Sequence, residues 1–226
     1  MPSLTQITSA FSNCEPSTNS KAFAIHGSKT VPPSKKKLAQ AIKATIERGG
    51  KVIIPAFAIG RVEELLYWIK RLEDERRIPV LPVFVDSPMA TEALRRYTER
   101  VRELDPELQP EERDEKAPHG HADHADTRAR RREHARRERQ LCVFCTERFR
   151  TIASTQESKE LTASRTPAIV ISSSGMATGG RVLHHLKAAL PDPRNAVLLV
   201  GFQAAGTRGR RLVDGEQAIK IHGQMI

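Results

Sequence analysis

Ser172-Ser173-Ser174-Gly175-Met176-Ala177-Thr178-Gly179-Gly180-Arg181 lies between an apolar run at residues 168–171 and an amphipathic run at residues 182–190. A short apolar run bounded by turn residues reads as a buried strand, and the run after it reads as a helix. Strand, small-residue turn and helix together form the grammar of an anion cradle. Serines and glycines let the backbone approach a ligand, and the free N–H groups and positive dipole end of the next helix favour negative charge. Arg181 adds a fixed cation. The same letters also fit an ordinary tight β-to-α connection, and the loop alone does not choose between the two.

The grammar recurs in both directions from this loop. Upstream, Leu38, Ile42 and Ile46 repeat at helical spacing over residues 35–48, after the turn signal Pro32-Pro33-Ser34 and before Gly49-Gly50. A short strand at residues 52–54 follows, then the loop Pro55-Ala56-Phe57-Ala58-Ile59-Gly60, then a helix at residues 61–72 with Val62, Leu65, Leu66 and Ile69 inward. A strand at residues 80–85, the turn Asp86-Ser87-Pro88-Met89-Ala90 and a helix at residues 91–104 repeat the pattern. Order resumes at residues 141–144, with a helix at residues 154–161. Downstream come a strand at residues 196–201, the loop Gln203-Ala204-Ala205-Gly206-Thr207-Arg208-Gly209-Arg210, a short helical stretch and a strand at residues 218–221. Residues 1–30 read as irregular, with one short strand at residues 22–25. Strands that are continuous apolar runs and alternate with helices predict an α/β fold. Its sheet is mostly parallel, with helices on both faces, Rossmann-like. In such sheets the loops at the carboxyl ends of the strands line the ligand crevice.

The chain has 226 residues, long enough for a sizeable core. Its formal charge of +10 points to a polyanionic partner. With aromatics at only 4%, phosphate contacts are expected to outweigh base stacking. Three cysteines and a start without a basic, apolar leader point to a reducing, cytoplasmic setting, and the sequence has no run of bilayer-spanning length. Much of the charge sits in residues 105–139, which lack an apolar period and are expected to form a solvated, disordered insert.

Four loops share small residues and the same position after a strand: residues 57–61, 86–90, 172–181 and 203–210. Arg61, Arg181, Arg208 and Arg210 would give them a cationic rim suited to a sugar-phosphate backbone, while glycines that merely allow close helix–strand packing are the competing reading. Asp86 and Glu63 are the nearest carboxylates and can order arginines as readily as do chemistry. His184 and His185 share one helix, where one can face the crevice and the other the surface; His222 ends a strand at the loop edge. In the insert, His119, His121, Asp123 and His124 fit the zinc pattern H-x-H-x-D-H, but their charged flanks supply no strand to pre-orient the ligands. Adventitious metal binding is the better reading. Cys142 and Cys145 form a lone C-x-x-C and read as packing thiols.

Taken together, Ile54-Pro55-Ala56-Phe57-Ala58-Ile59-Gly60-Arg61, Val85-Asp86-Ser87-Pro88-Met89-Ala90, residues 172–186 and Gly201-Phe202-Gln203-Ala204-Ala205-Gly206-Thr207-Arg208-Gly209 resemble the β-CASP domain of RNA-processing metallo-β-lactamase-fold hydrolases. That family includes the endonuclease of mRNA 3′-end formation and related ribonucleases. Thr155-Gln156-Glu157-Ser158-Lys159 and residues 219–223 are similar to further segments of it. The resemblance implies a two-domain enzyme. A dinuclear zinc site in the metallo-β-lactamase domain activates water against an RNA phosphodiester, and the β-CASP domain caps the site and helps hold the RNA. It divides this chain into an N-terminal segment at residues 1–30, a β-CASP domain at residues 31–215 and, at residues 216–226, the start of a return to the metallo-β-lactamase domain.

RNA is the implied partner, with a homodimer or an RNA-processing complex as the assembly and no membrane. RNA contacts are expected from Arg61, Ser87, Ser173, Ser174, Gly175, Met176, Thr178, Gly179, Arg181, Gln203, Thr207, Arg208 and His222. No catalytic or metal-binding residue is assigned. The family's zinc motif precedes the β-CASP region, its acidic motif Glu-Ser-Thr-Tyr-Gly has only Glu15-Pro16-Ser17-Thr18-Asn19 as a counterpart, and two further histidine motifs normally follow residues 219–223. Zinc is thus expected in the full-length family and not in this chain, which reads as a partial product that is inactive or nearly so. The alternatives are a non-catalytic RNA-binding or assembly module and a mononucleotide-binding α/β protein.

Overall fold

The computed structural model describes residues 21–24, 35–104 and 144–226; for residues 21–24 and 98–104 the description is of backbone only. The charged insert and its His119, His121, Asp123 and His124 lie outside the described residues. Six strands form one sheet: β1 (Lys21–Ala24), β2 (Val52–Pro55), β3 (Pro82–Asp86), β4 (Arg148–Thr151), β5 (Ile169–Ser172) and β6 (Ala196–Leu199). They lie in the order β1-β6-β2-β5-β3-β4, and every neighbouring pair is parallel. The helices are α1 (Lys35–Glu47), α2 (Arg61–Asp74), α3 (Pro88–Leu104), α4 (Thr155–Ala163), α5 (Val182–Ala189) and α6 (Arg208–Val213). Strand-to-strand crossovers between parallel neighbours require such helices.

The period-2 alternation of side chains sorts the core into two layers. Val52, Ile54, Val83, Val85, Ile169, Ile171 and Leu198 pack with α1, α2 and α3 on one face. Ile53, Val170, Val197 and Leu199 pack with Leu161 of α4, Leu186 of α5 and Leu212 of α6 on the other. Both faces are covered, which is why β2, β5 and β6 are buried at every position. α2 alone buries Leu65, Leu66, Ile69 and Leu72 completely, each contributing roughly 1.5–3 kcal/mol.

Local chemistry sets the boundaries. α4 begins with a capping box: Ser154 Oγ accepts from the Glu157 N–H at 3.1 Å, and Glu157 Oε2 accepts from the Ser154 N–H at 3.1 Å. α3 begins at Pro88, so the expected five-residue turn shrinks to Ser87, whose hydroxyl accepts from the Ala90 N–H at 3.3 Å. Proline is pre-organised for the first helical position and has no N–H to lose there. β4 has no counterpart in the sequence reading, because an edge strand with Arg148, Arg150 and Thr151 exposed carries no apolar run. β1, inside the segment expected to be mostly irregular, is the opposite edge of the same sheet. Residues 216–226 include a hairpin of β7 (Lys220–Ile221) and β8 (Gln224–Met225), with Ile219 and Ile221 buried in the second layer. Cys145 is disulfide-bonded rather than the free packing thiol expected. Among the described residues no helix is long and apolar enough to cross a membrane.

Candidate nucleic-acid interface

β2 and β5 are central neighbours whose following helices leave to opposite faces, α2 to the first layer and α5 to the second. The loops at their carboxyl ends therefore meet at a topological switch point, the position where open α/β sheets bind ligands. The loop after β5, residues 173–181, is its hub. Gly175 sits so close to Phe57 of the β2 loop that a Cβ there would lie 3.0 Å from the ring and from the backbone N. Gln203 of the β6 loop donates to the Gly175 carbonyl at 3.1 Å, and the Gly209 N–H donates to the Met176 carbonyl at 3.0 Å. Ser173 Oγ donates to Ser87 Oγ after β3 at 2.9 Å. Inside the loop, Ser174 and Thr178 hydroxyls meet at 3.0 Å, and Gly180 holds φ +77° with its Cα facing the Ser173 carbonyl.

Arg181 is anchored below this loop by Asp86, a carboxylate with no solvent exposure at the end of β3. Arg181 Nη1 donates to Oδ1 at 2.7 Å; His185 Nε2 at 2.7 Å and Ser158 Oγ at 2.5 Å both donate to Oδ2. The other ring nitrogen of His185 lies 3.0 Å from Thr162 Oγ1, whose hydroxyl also reaches the Ser158 carbonyl at 2.8 Å. Burial acts to raise the Asp86 carboxyl, but the bonds from His185, Ser158 and Arg181 outweigh it and hold it below the ordinary aspartate value. Asp86 is thus an ionised anchor that fixes Arg181 and ties α4 and α5 to the crevice.

The other predicted cations are also engaged. Arg61 pairs with Glu64 at 2.5 Å within α2, and Arg210 with Asp214 at 2.7 Å within and just beyond α6. Arg208 donates to the carbonyls of Lys220 at 2.7 Å and Thr178 at 3.1 Å, clamping the hairpin to the hub loop. Thr207 caps α6: its hydroxyl accepts from the Arg210 N–H at 3.1 Å and donates to the Ala204 carbonyl at 2.7 Å. His222 occupies the hairpin turn and stacks on exposed His184 with ring centroids 4.6 Å apart. Burial, then the neighbouring His222, push His184 below the ordinary histidine value. Gly179 is open, with nothing within 4 Å of where a Cβ would stand. Of the candidates, Arg61, Thr207 and His222 have no contact above that joins them directly to the hub loop.

Sequence reasoning missed His185 as the buried partner of Asp86, and missed Phe57 and Phe202, exposed by 47% and 71% on the loops after β2 and β6. The helical spacing Val182, His185, Leu186, Ala189 carried the signal for His185, placing it inward and His184 outward. Glu63 is buried in the first turn of α2 with no side chain to pair its carboxylate, and burial pushes it up against the lowering effect of the Glu63 and Gly60 backbone.

The fold and its loops define the class: a parallel α/β domain with a topological switch point between strands that send their helices to opposite faces. A family model, the Beta-Casp domain, matches residues 62–212. The chain belongs to that family. It is 33% identical over 187 residues to Ribonuclease TTHA0252 of Thermus thermophilus, covering 83% of this chain and 37% of the relative. It is 33% identical over 193 residues to Transcription termination factor FttA of Pyrococcus abyssi, covering 84% and 26%. An RNase J-like protein of Methanocaldococcus jannaschii is 31% identical over 185 residues, covering 82% and 36%. The chain therefore spans only about a quarter to somewhat over a third of the length of these relatives.

Proposed function

We propose that this chain is the RNA-holding β-CASP part of a zinc-dependent ribonuclease of the metallo-β-lactamase fold, and that the crevice between the β2 and β5 loops receives the sugar-phosphate backbone. The observation that carries this reading is the convergence of the loops after β2, β3, β5 and β6 on the residue 173–181 hub, within the segment that matches the family. Arg181, neutralised in part by Asp86, contributes direction more than net charge; Ser174, Thr178 and Gly179 offer an open, small-residue floor to phosphates. Phe57 and Phe202 supply faces on which bases stack. Residues 31–215 are the β-CASP domain in this reading, and residues 216–226 begin the return to the catalytic one.

The described residues do not fit zinc. His185 spends both ring nitrogens on Asp86 and Thr162, and His184 with His222 lacks a third ligand. Among the described residues no cluster of three His, Cys, Asp or Glu side chains could hold a metal. No hydrolytic step is assigned to them; zinc belongs to the full-length enzyme, and this chain alone binds RNA with little or no turnover.

Fluorescence anisotropy with a labelled oligoribonucleotide tests the crevice. Binding should weaken steeply with salt. Gly179→Glu, which places a negative charge on the hub loop where there is room for it, should weaken binding without lowering Tm. Unchanged affinity in that variant would refute the crevice as the RNA site. Zinc-dependent cleavage by the 226-residue chain, lost in His119→Ala and His121→Ala, would overturn the assignment of catalysis to another domain. The second reading, an assembly module, draws on Ile59, Met89 and Phe202, exposed together along the carboxyl edge. A partner complex lost in Phe202→Ser, with no RNA affinity in the parent chain, favours it.

A further inference from the structure

The amino-terminal edge of the sheet, at the other end of the strands from the crevice, carries a second concavity. A cavity of about 370 Å³ lies between the ends of α4 and α5 and the starts of β2 and β6. We propose that it binds a small phosphate monoester, with Lys51, Arg165 and Arg194 as the cations that receive the phosphate.

Lys51 carries the inference. It stands just before β2, is only 7% exposed, and lines the cavity. Its ammonium donates to the Leu161 carbonyl at 2.6 Å, in the last turn of α4, where the helix dipole favours a cation. That bond satisfies one of three N–H donors, and among the described residues no carboxylate pairs with Lys51. Burial alone pushes the Lys51 ammonium below the ordinary lysine value. A buried ammonium with two donors unspent and no counter-charge is costly unless an anion joins it.

The surroundings fit such an anion. Arg165, exposed at the rim, lies near enough to Asp192 to help lower its carboxyl, and no hydrogen bond holds its side chain among the described residues. Arg194 holds Asp192 through Nε at 3.0 Å and Nη2 at 2.7 Å, which leaves Nη1 uncommitted. Three cations face one carboxylate that is already paired, an excess that matches a phosphate monoester near its dianionic form. Asn195 shapes the site rather than binding: its Oδ1 accepts from the Lys51 N–H at 2.7 Å and its Nδ2 donates to the Ala189 carbonyl at 3.1 Å. Ile53 and Pro191 give an apolar wall for the carbon part of the ligand, and the volume falls in the range of small-molecule sites.

Calorimetry and amide NMR on the 226-residue chain test the site with adenosine 5′-monophosphate, inorganic phosphate and adenosine. The two phosphates should bind and shift the Lys51, Arg165 and Asn195 amides, and adenosine should not. Lys51→Gln and Arg165→Ala should each weaken the monophosphate about tenfold, the loss of one charge-assisted bond. Arg165→Ala removes an exposed side chain held by no hydrogen bond and only a long-range attraction to Asp192, so its Tm should barely move and its loss reads binding. No binding to the parent chain at millimolar ligand, shifts confined to residues 172–181, or affinity unchanged from the parent chain in either variant would each overturn the proposal. A 5′-phosphorylated trinucleotide run beside the monophosphate separates the sources. Whichever binds more tightly through Lys51 identifies a free nucleotide or an RNA end, and binding of neither overturns the site.

Discussion

Asp86→Ala is the substitution that probes the link between core and crevice most directly. It removes the acceptor of three donors at once: Arg181 Nη1, His185 Nε2 and Ser158 Oγ. His185 and Ser158 are 2% and 6% exposed and cannot turn to water, so each leaves a buried donor unsatisfied at about 1–3 kcal/mol. The Arg181 side chain is 23% exposed and re-solvates in part, so its share is smaller. Two buried orphans give about 2–6 kcal/mol, and breaking a buried ion pair by removing one partner costs about 3–5 kcal/mol, so the expected loss is about 4 kcal/mol. At roughly 2–4 °C per kcal/mol for a chain of this size, Tm should fall by about 8–16 °C. Urea unfolding followed by circular dichroism measures the loss, and a double-mutant cycle with His185→Gln apportions it. A loss below about 1 kcal/mol would show that the three donors find other acceptors, and the anchoring role of Asp86 would be wrong.

The remaining expectations follow from the same geometry. Since the folded Asp86 carboxyl lies below its ordinary value of 3.8, its stabilisation is complete above that pH and drains away as pH falls from there toward the lower folded value. Acid unfolding of the parent chain and of Asp86→Asn should converge over that window, and an unchanged gap would refute it. Gly180→Ala combines φ +77° with a Cβ 2.8 Å from the Ser173 carbonyl, and should cost about 1–3 kcal/mol while weakening RNA binding; a silent substitution would show that the hub loop is not rigid. The His184 ring should titrate by NMR below 6.5, and His222→Ala should move the midpoint part of the way back, because burial is the larger cause.

The alternation of apolar runs and helical periods made the parallel α/β architecture legible. Val52–Pro55, Ile169–Ser172 and Ala196–Leu199 are buried on both faces and so appear in the chain as unbroken apolar segments. The small-residue loops after them were legible for the same reason, since each sits between two readable elements. β4 was not, because its edge position lets arginines replace the apolar alternation. Nor was the state of the rim arginines. Sequence spacing places Arg181 at the mouth of a loop, but the carboxylate that holds it is 95 positions away, and His185 and Ser158 are 99 and 72 positions from that same carboxylate.

Residues 172–181 by themselves therefore determine a tight, small-residue turn between a buried strand and a helix, because local backbone freedom and hydrophobic period are properties of neighbouring residues. Their place at the centre of four converging loops, the anchoring of Arg181 on a buried carboxylate, and the cationic cavity around Lys51 were decided only by the tertiary structure. The crossing of α2 and α5 to opposite faces brings distant polar groups together, and in a closed core each buried charge must find its partner through space rather than along the chain.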